Sequence, residues 1–281
     1  MFGAALIVFR ESLEAALIIG VMAAATRGVA WRGRWIAGGI LAGLVGSALV
    51  ASSMSVISNL ASGVGQELFN ASILTLAVCM LAWHNIWMAN HGRELAARAQ
   101  DTALAIQQGS REGSVILLVV GLAVMREGSE TVLFLYGLAA GSAEGMQATL
   151  TGALLGVGAG AMVGGLLYLG LLRIPLRWFF SVTAVLVLLL AASMASQVAR
   201  NLIQADIIPS LGAPLWNSSS LLSQSSPLGT VLHGLVGYDS QPAGAQLVFY
   251  LVALIVIGGA MFWVGRRQPQ KSGRQGQTPA P

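Results

Sequence analysis

The same charged pentapeptide occurs twice in this chain, each time inside a run of Ala, Leu, Ile and Val. The copies are Arg10-Glu11-Ser12-Leu13-Glu14 and Arg126-Glu127-Gly128-Ser129-Glu130, and both read R-E-x-x-E. An ionised group at the centre of a membrane-spanning helix costs roughly 3 kcal/mol on insertion scales. Two matching triplets kept at that cost point to a polar pathway through a bilayer. The rest of the chain requires the bilayer. Of 281 residues, 56% are hydrophobic and only 9% are charged, against about 25% charged in a soluble domain. The fold class is therefore all-α, a polytopic membrane helix bundle, because helices satisfy their own backbone groups inside the apolar layer.

A span needs about 20 apolar residues. Seven such segments can be read, at 3–25, 36–56, 68–89, 114–139, 148–171, 178–199 and 246–265. The first already contains Arg10, Glu11 and Glu14, which the core of a cleavable signal peptide does not tolerate, so it is expected to remain as a span. Basic residues set the orientation. Arg27, Arg32 and Arg34 follow span 1, Arg93, Arg98 and Arg111 follow span 3, and Arg173 and Arg177 follow span 5. Arg266, Arg267, Lys271 and Arg274 follow span 7, which makes twelve of the fifteen basic residues on one side. The positive-inside rule then predicts an external N-terminus and a cytoplasmic C-terminus in the cytoplasmic (inner) membrane. The net charge of +4 thus belongs to loops that orient spans, and no nucleic-acid partner follows from it.

The repetition extends beyond the motif. At an offset of 116, Arg10, Glu11 and Glu14 fall on Arg126, Glu127 and Glu130. At an offset of 113, Gly39, Gly43, Ser47 and Ala51 fall on Gly152, Gly156, Gly160 and Gly164. Such small-residue stripes let helices approach closely in a membrane. Each unit holds three spans, so the second copy enters from the opposite side. An inverted 3+3 repeat is a transporter architecture, with the substrate near the midplane between halves. The expected organisation is a first repeat at 1–90, a cytoplasmic loop at 91–113 and a second repeat at 114–199. An external loop at 200–245, a seventh span at 246–265 outside the repeat and a disordered cytoplasmic tail at 266–281 complete it. Within the external loop, the apolar stretch Leu228 to Val236 is a candidate interfacial or re-entrant helix.

On a helix, positions three and four apart share a face. Glu11 and Glu14 are then neighbours, Arg10 pairs with Glu14, and the second copy repeats this with Arg126, Glu127 and Glu130. If the two spans cross, four carboxylates converge with two guanidinium groups, leaving a formal surplus of two negative charges. Carboxylate oxygens suit hard cations. Glu11, Glu14, Glu127 and Glu130 are the candidate metal-binding residues, and Arg10 and Arg126 the charge-balancing and orienting ones. The bland alternative is a salt-bridge network holding two helices together, but buried ion pairs are a poor stabilising device.

The doubled R-E-x-x-E in spans 1 and 4 of a seven-span chain resembles the high-affinity iron permeases of bacteria and fungi, the oxidase-dependent iron transporter family. The stretch from His233 through Gly237, Tyr238 and Asp239 to Pro242 and Gln246 is similar to that family too. Its most familiar motif carries Gly then Leu in the variable places, where this chain has Ser12-Leu13 and Gly128-Ser129. The resemblance implies import of iron, Fe²⁺ or Fe³⁺, through the motif glutamates, as a transported substrate with no fixed cofactor. It also implies iron-oxidising or iron-delivering partner proteins outside the membrane.

Four further residues have two readings each. Glu67, at the outer edge of span 3, is a relay for incoming iron or a solvated helix-start residue favoured by the dipole. His84 and Met88, near the cytoplasmic end of span 3, form an exit site for ferrous iron or belong to a helix interface. Asp239 lines an external vestibule or is a solvated loop acid. Cys79, the single cysteine, lies in an apolar span and reads as a small core residue.

Two other functions compete with the permease. A membrane enzyme built on a carboxylate-bound metal would use Glu-x-x-His pairs, and no Glu here has His three residues on. The zinc-protease motif H-E-x-x-H is absent as well. A proton-coupled transporter of an organic substrate would not need two symmetric acid pairs, whereas a proton-coupled transporter of another divalent cation stays open as the alternative. The sequence therefore favours a non-enzymatic iron carrier whose other partner is membrane lipid.

Overall fold

The computed structural model describes residues 1–61, 65–107, 112–141, 145–170, 176–212, 214–224 and 226–266. Among these residues every regular element is a helix. They are α1 (Phe2–Ala25), α2 (Arg32–Ala61), α3 (Gln66–Gln107), α4 (Ser114–Gly141), α5 (Gly145–Tyr168), α6 (Leu176–Gln204), α7 (Pro227–Val236) and α8 (Gly244–Arg266). Five stretches are long and apolar enough to cross a membrane: Arg32–Met54, Glu67–Trp87, Gln147–Tyr168, Ser181–Gln204 and Gly244–Val264. Helices α1 and α4, of 24 and 28 residues, are also long enough but each carries a charged motif at its middle. The outward faces are apolar: Leu41, Val45 and Leu49 on α2, Leu154 and Met162 on α5, and Ile255 and Phe262 on α8 are all exposed. Apolar surface on the outside of a bundle is the pattern of a chain solvated by lipid. The protein is a polytopic, multi-pass membrane helix bundle.

The motif helices do not pack mainly on their sequence neighbours. Helix α1 lies along α5, and α4 lies along α2. Glycines make this possible. A methyl group on Gly156 of α5 would sit 2.6 Å from the Ala5 carbonyl oxygen and 2.9 Å from Val8 Cβ of α1. A methyl group on Gly43 of α2 would sit 2.8 Å from the Gly121 carbonyl oxygen and 2.6 Å from Val124 Cβ of α4. One turn earlier, Gly39 is held the same way, 2.8 Å from the Leu117 carbonyl oxygen. These are backbone-to-backbone contacts that only a small residue permits. One turn later the sizes exchange. Gly160 faces Ser12, with 2.7 Å to its Cβ, whereas Ser47 faces Gly128. Each crossing holds one serine and one glycine, in opposite order.

Helices α3 and α6 pack together and α8 covers α6. Their inward faces form an apolar cluster with Leu74, Leu81, Leu190, Met194 and Phe134 of α4. A second cluster joins Met22, Ile116, Val120 and Val124 to Ile106. Ile106 is on α3 because that helix runs for 42 residues. The expected loop at 91–113 is thus helical as far as Gln107. The reason is local: beyond Gly92 the stretch is rich in Ala, Arg, Glu and Gln, which favour helix whether or not lipid surrounds them.

The apolar stretch Leu228 to Val236 lies within α7. Ser226 Oγ accepts from the Gly229 N–H at 3.0 Å, and proline follows it at the start of the helix. Gly237 ends the helix at φ 77°, a left-handed conformation that glycine adopts without strain. Helix α7 packs on α1 and α6. Residues before and after it pair through backbone, with Leu215 donating to Pro242, Ser218 to Ser240 and Gly244 to Gly212. Cys79 differs from expectation. It is exposed, because Leu74, Ala77 and Leu81 occupy the inward face of α3 and helical spacing turns position 79 away. The tail from 267 onward lies outside the described residues, as do Arg111, Arg173 and the side chains of Met88, Arg93 and Arg98.

Candidate ion-binding site

Both motifs fold as the spacing predicts. On α1, Arg10 Nε lies 3.1 Å from Glu14 Oε1, and Arg10 Nη1 lies 3.6 Å from Glu11 Oε1. On α4, Arg126 Nε lies 3.1 Å from Glu130 Oε1 and 3.8 Å from Glu127 Oε1. Helix α4 also binds its own polar side chains back to carbonyls. Ser129 donates to Arg126 and Thr131 to Glu127, which satisfies both hydroxyls in an apolar setting.

The two helices meet, and the carboxylates converge. Glu11, Glu127, Glu130 and His84 can each offer one atom such that all four lie within 4.8 Å of one another. His84 comes from α3 and sits between the motifs. Its Nε2 is 3.6 Å from Glu11 Oε2 and 3.5 Å from Glu14 Oε2, while its Nδ1 contacts Glu130 Oε2. Both Glu11 oxygens and Glu127 Oε2 are buried and accept no hydrogen bond among the described residues. A buried carboxylate without a donor is costly, and a bound cation supplies what such oxygens lack.

The two halves of the site differ in surroundings. Arg10 is 2% exposed, enclosed between α1 and its neighbours. The Arg126 side chain is 37% exposed and stacks on the Trp87 ring at 4.3 Å. A cavity of about 440 Å³ reaches the second motif from the outer face of α3, lined by Cys79, Trp83, Trp87, Arg126 and Glu130 among others. Glu130 is the carboxylate that faces this cavity, and His84 forms part of its floor.

The other predicted residues divide as follows. His84, expected near the cytoplasmic end of its span as an exit residue or a helix-interface residue, lies with the motif carboxylates. A helix as long as α3 brings that position level with the motifs. Glu67 is in the first turn of α3. Asp239 accepts from the Gln241 N–H at 3.1 Å, a local turn contact before α8. His233 Nδ1 lies 2.7 Å from the Tyr238 carbonyl oxygen, so it fastens the end of α7. Asn85, beside His84, donates to the Ala184 carbonyl at 3.1 Å and ties α3 to α6. Trp87 was not singled out by the sequence. Its spacing of three from His84 places it on the same face and is the signal that could have found it.

A lipid-solvated bundle whose two motifs bring carboxylates together, several of their oxygens buried without a donor among the described residues, is the architecture of a membrane carrier for cations. The chain belongs to the Iron permease FTR1 family, which it matches over residues 1–267. It is 33% identical over 262 residues to the ferrous iron permease EfeU of Escherichia coli O6:H1, covering 91% of this chain and 93% of that protein. It is 32% identical over 260 residues to the ferrous iron permease EfeU of Yersinia pestis, covering 91% of each. No solved structure matches the chain.

Proposed function

We propose that this protein imports ferrous iron across the cytoplasmic membrane, and that the ion passes through the carboxylates of the two R-E-x-x-E motifs. Iron is a substrate in this reading and not a resident cofactor. The observation that carries it is the convergence of Glu11, Glu127 and Glu130 from two separate helices to within 4.8 Å, together with His84. Hard-cation sites use few, convergent oxygens. Glu14 completes the set through its contact with His84. Arg10 and Arg126 hold carboxylate oxygens in place and offset part of the charge.

The same reading takes the bundle as seven spans, α1 to α6 and α8, with α1–α3 and α4–α6 as inverted repeats. The packing supports this contact by contact. Gly156 against Ala5 and Val8 corresponds, at offsets of 113 and 116, to Gly43 against Gly121 and Val124. Glycine stripes on α2 and α5 then give each motif helix a smooth track across the repeat boundary. The carrier is oriented with its N-terminus outside and its C-terminus in the cytoplasm, as the basic loops require. Helix α7 and its flanking segments face the outside, where a protein that oxidises or delivers iron would dock. Glu67 and Asp239 lie on that side and serve as relay residues toward the motifs.

Uptake of labelled iron by vesicles holding the protein tests the function. Glu11→Ala, Glu14→Ala, Glu127→Ala and Glu130→Ala are each expected to abolish uptake at normal membrane levels of protein. Well-expressed single variants that import normally would refute passage through the motifs. Iron-dependent chemistry without uptake would favour a membrane enzyme instead.

A further inference from the structure

His84 is the side chain that touches both motifs. Its ring is 2% exposed, and its two nitrogens face Glu11, Glu14 and Glu130. Neither nitrogen makes a hydrogen bond to backbone. A histidine kept for structure anchors a ring nitrogen to a fixed partner, as His233 does at the Tyr238 carbonyl. The groups that His84 pairs with among the described residues are carboxylates, and the Glu11 oxygen that it approaches accepts no hydrogen bond among them.

We infer that His84 is a ligand to the ion in passage, and that its nitrogen makes the site select ferrous iron and similar transition ions over Mg²⁺ and Ca²⁺. This rests on the carrier reading of the site. Donors about 2.1 Å from a first-row ion lie up to about 4.2 Å apart across it. The four donor atoms here lie within 4.8 Å of one another, so a small inward movement lets them close on one ion. The chemistry of the set decides which ion gains. Carboxylates alone suit Mg²⁺, Ca²⁺ and Mn²⁺, whereas imidazole suits Fe, Ni, Cu and Zn. Mg²⁺ also dehydrates reluctantly and demands an octahedron of oxygens. One nitrogen among carboxylates therefore penalises the abundant hard ions and spares Fe²⁺.

The nitrogen breaks the repeat. The chain has three histidines, His84, His91 and His233, and α4 to α6 carry none of them. The two motifs supply matched oxygens, and α3 alone adds the discriminating donor. A purely oxygen site of this kind would bind any small divalent cation.

Pulsed electron paramagnetic resonance of Mn²⁺ bound to the purified full-length protein tests ligation directly, because a bound imidazole gives a ¹⁴N coupling. The coupling is expected in the wild type and in a His91→Gln/His233→Gln background, and is lost in His84→Gln. Competition between Fe²⁺ and a large excess of Mg²⁺ tests selection. His84→Gln should weaken Fe²⁺ binding about tenfold or more and strengthen Mg²⁺ binding, because an amide oxygen takes the place of the nitrogen. Absence of a nitrogen coupling in the wild type, or an unchanged Fe²⁺ preference in His84→Gln, overturns the inference. If His84→Gln does not fold, the coupling in the double-histidine background decides alone. Glu11→Gln separates the two levels. Loss of Mn²⁺ binding in Glu11→Gln with no nitrogen coupling in the wild type removes only the role of His84. Retention of both binding and uptake in Glu11→Gln removes the carrier site itself.

Discussion

Gly128 is glycine because Ser47 fills its space, and this can be tested by exchanging the two. A methyl group on Gly128 would lie 2.8 Å from Ser47 Cβ, a contact that no rotation of Ser47 relieves. The helices cannot separate easily either. One turn away Gly43 sits against the Gly121 carbonyl, at 2.8 Å for an added methyl group. Ser47 Oγ is engaged as well, donating to the Gly43 carbonyl at 3.0 Å. Gly128→Ser should therefore cost about 1–3 kcal/mol as an overpacked contact. That is a fall of about 2 to 12 °C in melting temperature at roughly 2–4 °C per kcal/mol. Ser47→Gly alone should cost about 0.5 kcal/mol, from the lower helix propensity of glycine than of serine. The double variant Ser47→Gly/Gly128→Ser recreates the order found at the other crossing, where Ser12 packs on Gly160. It should recover most of the loss, with a coupling of about 1–2 kcal/mol. The assay is thermal unfolding of purified protein in detergent, read by the monodisperse fraction after heating, with iron uptake in parallel. Wild-type melting in Gly128→Ser, or simple additivity in the double variant, would refute the packing argument.

Three other outcomes are expected. Arg10→Ala should destabilise the protein by about 3–5 kcal/mol, because it strips the partner from fully buried carboxylates, while Arg126→Ala, whose side chain is 37% exposed, should cost much less; equal losses in a paired melt would contradict the asymmetry. Cys79, which lines the cavity beside Glu130, should react with a small cationic thiol reagent and react more slowly when iron or Mn²⁺ is present; unchanged kinetics would separate the cavity from the site. In a Cys79→Ala background, Ser220→Cys should label from outside the cell and Lys271→Cys only after permeabilisation; the reverse would invert the orientation and the direction of transport.

The helices were legible because lipid imposes a simple rule. Length and apolarity mark α2, α5 and α8 directly, and each matches its sequence segment within a few residues. The offset of the small residues also predicted a real surface, since Gly156 and Gly43 both press on a motif helix. Two features were not legible. Polar residues from 91 to 107 look like a loop when hydropathy is the guide, yet Ala, Glu and Arg continue a helix in water as readily as in lipid. Cys79 looks like core because its neighbours are apolar, but apolar residues surround a membrane helix on every side. Hydropathy carries no period there, so it cannot tell the lipid face from the protein face.

The site itself was legible to the extent that symmetry wrote it. Two identical spacings of Arg and Glu placed six side chains on two helix faces, and the structure brings carboxylates of both into one cluster. What lies between the motifs has no repeat to announce it. His84 is a single residue on a third helix, and a lone histidine in a span reads equally as a ligand or as interface. Its position follows only once α3 is packed on α1 and α4. That same helix makes the two motifs unequal, since Trp87 stacks on Arg126 and the cavity beside it opens toward Glu130. Arg10, the symmetric partner of Arg126, has no such opening and is 2% exposed. The sequence of the motifs is shared, and access to them is not.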